Sequence, residues 1–382
     1  MKIIYSILLV FSFSLVACSQ TVRMITNLPS ALSENSGMLI SNENAIWLHN
    51  DGGDSAKLYR IDTFGTILKT IVVTNATNVD WEDITYDNHG NVYIGDFGNN
   101  ANARQDLKVY KIPHPDSIVG TTVTAETIHY SYPEQTAYPP SDDQKKYDTE
   151  AMIYFQDSLY FFTKDRTTPH LGYTWLYQIS ADTGTHSAVL LDSFQTGQIS
   201  YIFEVTGASI SADNEKLALL GSNQVWLFSG FTGSRFFDGT AQTISLNSFS
   251  QKEALDFIDS SRLYFSNETS LLGGAQLGIL DFGNLLLGHP LYTDQHSINE
   301  MVAYPNPASE QLNLQVKLNK EATVKVKLFN ALGKCVQRKT ISKAISGEQV
   351  VRLSVDHLPK GTYFIHLICG KQRYCKRIVI AP

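Results

Sequence analysis

Asp80-Trp81-Glu82-Asp83-Ile84-Thr85-Tyr86, then Asp87-Asn88-His89-Gly90, then Asn91-Val92-Tyr93-Ile94-Gly95-Asp96 is the stretch that decides the fold. An acidic opening leads into a short apolar, β-branched run. Asp, Asn and Gly supply a tight turn, and a second run of similar length ends on a polar residue. No 3.6-residue periodicity runs through it, so the window reads as two antiparallel strands.

The same unit recurs with drifting sequence. Its other openings are Ser36-Gly37-Met38, Asp148-Thr149-Glu150-Ala151-Met152, Glu204-Val205-Thr206-Gly207-Ala208 and Glu253-Ala254-Leu255-Asp256. Turns at residues 42–44, 156–157, 213–215 and 259–260 lead into second strands, and third strands follow at 58–61, 108–112, 175–179, 225–228 and 277–281. Units of roughly 45 to 70 residues repeated around an axis predict an all-β fold, a β-propeller, over residues 20–300. Five blades can be counted. A sixth would be assembled from residues 23–27 and 290–298, unless these close the last blade. A β-sandwich is the rival architecture, but it gives no reason to reuse an acidic opening at each repeat.

Composition bounds the function. The 382 residues are 43% hydrophobic and 18% charged, with 19 Tyr and 19 Phe, which excludes a disordered chain and suits two domains. Residues 301–382 hold 14 Lys and Arg against four Asp and Glu, a net +10, which leaves −17 on residues 1–300. An acidic body has no basic face for nucleic acid, so no nucleic-acid partner is expected. The two charge regimes meet at the Pro-rich Tyr304-Pro305-Asn306-Pro307-Ala308, which breaks regular structure. The first 19 residues, with Lys2 and an apolar run from Ile3 to Ala17, read as a secretory signal peptide. Leu15-Val16-Ala17-Cys18 fits a lipobox that would acylate Cys18, and an ordinary cleavage after Ser19 fits the same residues. No cysteine lies between Ser19 and Lys334, so the body has neither disulfide framework nor Cys-based zinc site. Cys335, Cys369 and Cys375 leave their pairing open, a Cys369–Cys375 bridge included. Phosphate-binding Gly loops, nucleophile elbows, His-Glu-x-x-His pairs and dinucleotide fingerprints are absent from the sequence.

In antiparallel blades the start of strand one and the end of strand two share a face. The acidic openings therefore converge with the second-strand ends around His49, Asp96, Lys164, Ser222 and Asn267. Glu82, Asp83, Asp96, Glu150 and Glu253 are the candidate metal ligands, and an oxygen-only set suits calcium or magnesium, with calcium the expected cofactor. Lys164, Arg104 and His49 are the candidate substrate-binding residues. Turn chemistry and surface charge account for many single carboxylates, and Trp81 suits packing between blades. Glu82, Glu150 and Glu253 stand apart because they recur at one position of the repeat.

The C-terminal segment resembles the C-terminal sorting domain of the Bacteroidetes type IX secretion system. The resemblance rests on Tyr304 to Ala308, on Val326-Lys327-Leu328-Phe329-Asn330-Ala331-Leu332-Gly333-Lys334 and on Leu358-Pro359-Lys360-Gly361-Thr362-Tyr363-Phe364. It implies a small β-sandwich at 301–382, passage through the periplasm, recognition by the outer-membrane translocon and sorting machinery, and a secreted or cell-surface product. The body is similar to a group of uncharacterised bacterial propellers through Asp80 to Asp83, Gly95 to Asn100, Asp148 to Ala151 and Thr206 to Ser211, and is distantly similar to calcium-dependent phytase-like propellers. Two functions follow as expectations: a surface binding or scaffold module with a calcium-binding face for an unidentified surface ligand or small molecule, or a calcium-dependent phosphoesterase or esterase. A hydrolase requires its carboxylates in a narrow pocket; a binding module can display them on a rim.

Overall fold

The computed structural model describes residues 21–270, 273–283, 298–318, 321–330, 335–345, 347–369 and 372–381. The signal-peptide and Cys18 readings, and residues 290–297, lie outside them. The chain divides into two compact units, Met1–Leu287 and Gly288–Pro382. Among the described residues no helix is long and apolar enough to cross a membrane.

The described residues of the first unit form five sheets, each an antiparallel up-and-down meander. The first sheet runs Asn35–Asn42, Ala45–Asn50, Lys57–Ile61 and Ile67–Val73; the second runs Trp81–Tyr86, Asn91–Asp96, Lys108–Pro113 and Glu126–Ser131. The third runs Asp148–Phe155, Ser158–Lys164, Tyr173–Ser180 and Val189–Gln195; the fourth runs Gly207–Ile210, Lys216–Gly221, Gln224–Ser229 and Thr240–Ser245. In the fifth, Lys252–Asp259, Arg262–Asn267 and Gln276–Asp281 are followed by Thr21–Asn27, so the N-terminal strand closes the last sheet. Two outer edges are covered by parallel strands, Thr122–Val123 on the first sheet and Gly184–Ser187 on the second.

Each sheet's first strand touches the first strands of the sheets before and after it, and the fifth returns to the first. The apolar clusters repeat that cycle. Trp47, Leu58, Trp81 and Ile94 pack between sheets one and two; Tyr93, Phe97, Phe161 and Tyr177 between two and three; Phe162, Leu176, Trp226 and Phe228 between three and four. Leu220, Leu227, Leu255 and Phe265 fill the next gap, and Ile46, Leu48, Tyr264 and Leu277 join the fifth sheet to the first. Strands covered on both faces become apolar on both faces, hence the near-continuous burial of segments such as Leu159 to Thr163.

Where the first strands converge, two buried carboxylates tie them together. Asp83 Oδ2 accepts the backbone N–H of Met152 at 2.8 Å and of Ala208 at 3.2 Å, while Oδ1 accepts that of Ile84 at 2.8 Å. Asp256 accepts the N–H of Ile40 and of Phe257, each at 2.8 Å, and the hydroxyl of Ser209 at 2.6 Å. Together they span the first strands of all five sheets.

The second unit is described by itself. Ile298–Tyr304, Gln311–Leu318 and Gly347–Ser354 form a three-stranded sheet, and Cys335–Ala344, Ala322–Asn330, Gly361–Cys369 and Gln372–Ile380 a four-stranded one. Leu312, Leu314 and Val316 from the first share one core with Val326, Leu328, Ile365 and Leu367 from the second. The terminal hairpin pairs Cys369 with Gln372 and His366 with Cys375. Cys369 and Cys375 are thus three residue steps apart along the hairpin, roughly 10 Å at 3.3 to 3.4 Å per residue, which is beyond the Cα separation a disulfide spans.

Candidate functional site

The first strands do more than line the centre. Three of them lose register where an acidic residue is inserted: between Trp81 and Asp83, between Thr149 and Ala151, and between Lys252 and Ala254. The residues inside these irregularities are Glu82, Glu150 and Glu253. An extra residue in one strand of a pair bends it and re-aims a side chain. The position shared by the three glutamates in the sequence repeat is thus a shared backbone device.

Glu82, with only 5% of its surface exposed, has carboxylate neighbours. One oxygen each from Asp51, Asp80 and Glu82 all lie within 4.8 Å of one another. Burial, followed by the charges of Glu150, Asp51, Asp80 and Asp148, pushes the Glu82 carboxyl well above the usual range. Asp51 is pushed up to about 7 by burial and then by Asp80 and Glu253, and its side chain shares a hydrogen bond with Asp80, whose own carboxyl is raised by burial and by Asp148. Gly98 packs directly on Glu82 Oε1 and Asp80 Oδ2, where a Cβ would collide with both. The backbone N–H groups of Phe97 and Gly98 fix this corner by donating to the Asp80 carbonyl at 3.1 Å. Outside the trio lies an open depression of about 420 Å³ bordered by Ser33, Glu34, Asn50, Asp51, Gly52 and Asp54.

The other sequence-predicted residues have different surroundings. Asp83 points into the interstrand tie and its oxygens are taken by backbone amides. Asp96 meets Arg104 Nη2 at 3.0 Å and Lys108 Nζ at 3.5 Å, and accepts the N–H of Asp80 at 3.1 Å. Glu150 is held by Lys164 Nζ at 3.2 Å and Arg166 Nη2 at 3.1 Å; Arg166 Nε also meets Asp148 at 2.6 Å. Burial alone would lower Lys164, but Glu150 and Glu253 overcome it and hold the ammonium charged. Glu253, pushed up to about 7 by burial, keeps a buried Oε2 with no hydrogen-bond partner among the described residues, and its charge reaches Asp51. Arg104 also donates to the Gly98 carbonyl at 2.9 Å and to Asp106 at 3.0 Å, so its guanidinium is occupied locally. His49 is fully buried, its Nδ1 3.0 Å from the Asn50 carbonyl and its ring edge-on to Trp81; burial lowers it to about 4, so it is neutral. Trp81 sits between sheets one and two and donates from Nε1 to the Thr77 carbonyl at 3.2 Å.

Three residues outside the predicted ligand and substrate sets lie among them in the structure: Asp51, Asp80 and Arg166. Asp51 lies in a Gly-rich turn and Asp80 ahead of a strand, so each reads locally as turn chemistry. Arg166, two residues beyond Lys164 at a strand end, was visible only as a cation near an acidic face.

Residues 302–381 match the family model of the secretion system C-terminal sorting domain. No curated protein matches the chain. Among solved structures the chain is similar to the PQQ-bound aldose sugar dehydrogenase of Streptomyces coelicolor, at 10% identity and a TM-score of 0.41, over 69% of this chain and 98% of that one. It is also similar to PorZ of Porphyromonas gingivalis, a surface component of that organism's type IX secretion system, at 11% identity and a TM-score of 0.33, over 91% of this chain and 45% of PorZ. A protein of unknown function from Bacteroides thetaiotaomicron aligns at 10% identity and a TM-score of 0.39, over 69% of this chain and 76% of its own.

Proposed function

We propose that this chain is an exported five-bladed propeller that binds a calcium ion at Asp51, Asp80 and Glu82 and uses that face as a binding module at the cell surface or in the medium. The sorting domain at residues 302–381 supports export and implies contact with type IX secretion machinery. The repeat of five meanders with five intervening cores, closed by the N-terminal strand, supports the blade count. The small β-sandwich reading of the sorting unit is supported by its two sheets around one core.

The observation that carries the cation site is the mutual approach of three carboxylate oxygens within 4.8 Å, one of them on the buried Glu82. Like charges this close either take up protons or recruit a cation. Glu253 adds a second sign, a buried carboxylate oxygen without a donor whose charge bears on Asp51. The donor set is all oxygen, as a hard cation requires, and the adjoining depression leaves room for water or ligand oxygens to complete six to eight contacts. A bound calcium would offset two of the trio's three negative charges, and its remaining coordination positions would be open to a carboxylate or phosphate oxygen of the partner molecule. Lys164 and Arg166 are spent on Glu150 and Asp148, and the depression beside the trio is open. Both favour a binding module over a phosphoesterase.

Calorimetric titration of the full chain with calcium tests this. Saturable binding that disappears in Asp51→Asn/Glu82→Gln is expected. Absence of binding at millimolar calcium, or equal binding by the variant, would remove the site and leave an exported propeller alone.

A further inference from the structure

The four-stranded sheet of the sorting unit is basic without relief. Its strands, Ala322–Asn330, Cys335–Ala344, Gly361–Cys369 and Gln372–Ile380, hold eight Lys and Arg and no Asp or Glu. Alternation sorts the side chains by face. Val324, Val326, Leu328, Ile365 and Leu367 are buried in the core, whereas Lys325, Arg338, Thr340 and His366 are exposed and Lys327, Phe329 and Phe364 half-buried. Register brings the outward residues into rows. Lys327 lies opposite Arg338 on one side and His366 on the other; Phe329 lies opposite Phe364, with its ring 4.6 Å from that of His366. The backbone register carries positions 373 and 377, both arginine, to the same face, opposite Ile368 and Phe364. Lys339 turns the other way and donates to the Arg352 carbonyl at 2.8 Å.

Like charges directly opposite on neighbouring strands destabilise a sheet, and here no carboxylate in the sheet offsets Lys327 against Arg338. A local conflict kept without compensation marks a surface built for something other than stability. We propose that this face docks on a phosphate-bearing lipid surface. A protein partner of ordinary kind requires a dry apolar centre with charges at the rim. This face has the reverse arrangement, with Lys327, Arg338 and His366 along its middle row. An anionic lipid surface makes no demand on shape and attracts each nearby Lys or Arg, while half-exposed aromatic rings suit the headgroup level.

The test is co-sedimentation of the full chain with vesicles of phosphatidylglycerol or of phosphatidylcholine. Binding to the first only is expected, and it should weaken at least tenfold between 50 and 300 mM NaCl as the charges are screened. Lys325→Gln/Lys327→Gln/Arg338→Gln should weaken it by about 100-fold, roughly fivefold per charge. That variant relieves like-charge pairs, so its melting temperature should not fall, which separates lost binding from lost folding. Arg352→Gln/Lys360→Gln, off the face, should stay within about threefold of the unaltered chain. Equal binding to neutral vesicles, an unchanged triple variant, or retention by polyglutamate without vesicle binding would each overturn the proposal.

Discussion

Asp83 and Glu82 are adjacent in sequence and both buried, yet they do opposite things. Asp83, like Asp256, is a carboxylate whose hydrogen-bond partners hold it in place: backbone amides from three strands in one case, two amides and a hydroxyl in the other. Glu82, with Asp51 and Asp80, has carboxylates for neighbours; among the described residues no ion pair holds the trio, and only the more distant charge of Arg104 bears on Asp80. Burial raises the carboxyl of Asp83 as it raises that of Glu82, so depth does not separate the structural carboxylate from the proposed cation ligand. The donors around it do.

The largest effect should come from removing the structural member. Asp83→Ala orphans three buried amides at about 1 to 3 kcal/mol each, so a loss of roughly 3 kcal/mol or more is expected. Thermal unfolding should then fall by about 6 to 12 °C for a domain of this size. A variant that melts with the unaltered protein would erase the contrast between the two sets.

The face set should respond in the opposite direction. In chelator, Asp51→Asn/Glu82→Gln removes repulsion and should stabilise the chain by about 1 kcal/mol in a denaturant melt. The same variant should gain nothing from calcium, whereas the unaltered chain should melt higher with it. Destabilisation in chelator would mean these carboxylates, like Asp83, are held by donors.

The face set should also respond to pH. Asp51 and Glu253 are raised to about 7 and Glu268 to about 8, burial being the largest cause in each. The folded chain therefore binds more protons than the unfolded one between the ordinary carboxylate range and pH 8. Its stability without calcium should fall as pH rises through that window. Calcium at the proposed site would replace those protons, so its stabilising increment should be larger at pH 8 than at pH 6. An increment independent of pH would place the ion away from these groups. Gly98→Ala, whose added methyl meets Glu82 and Asp80, should lower calcium affinity about tenfold with stability changed by about 1 kcal/mol.

Much of the architecture could be read from the chain. The 80–96 window and its repeats mark strands close to those observed, because apolar runs punctuated by Asp, Asn and Gly encode hairpins locally. That Glu82, Glu150 and Glu253 share a position was also visible. Hidden were the long-range partners. Asp83 meets Met152 and Ala208, 69 and 125 positions away, and nothing in Trp81-Glu82-Asp83 tells which carboxylate they claim. Asp51 and Asp80 come together only because sheets one and two pack side by side. Lys164 and Arg104 carry the charge expected of ligand-binding residues, but Glu150, Asp96 and Asp106 already claim them.

On the proposed reading the trio, not the adjacent structural carboxylates, holds the ion. A crystal of the full chain grown in calcium and measured for anomalous scattering tests it most directly. One peak is expected, at about 2.3 to 2.6 Å from oxygens of Asp51, Asp80 and Glu82. A calcium-saturated crystal with no peak there, or with the peak beside Asp83 or Asp96, would contradict it.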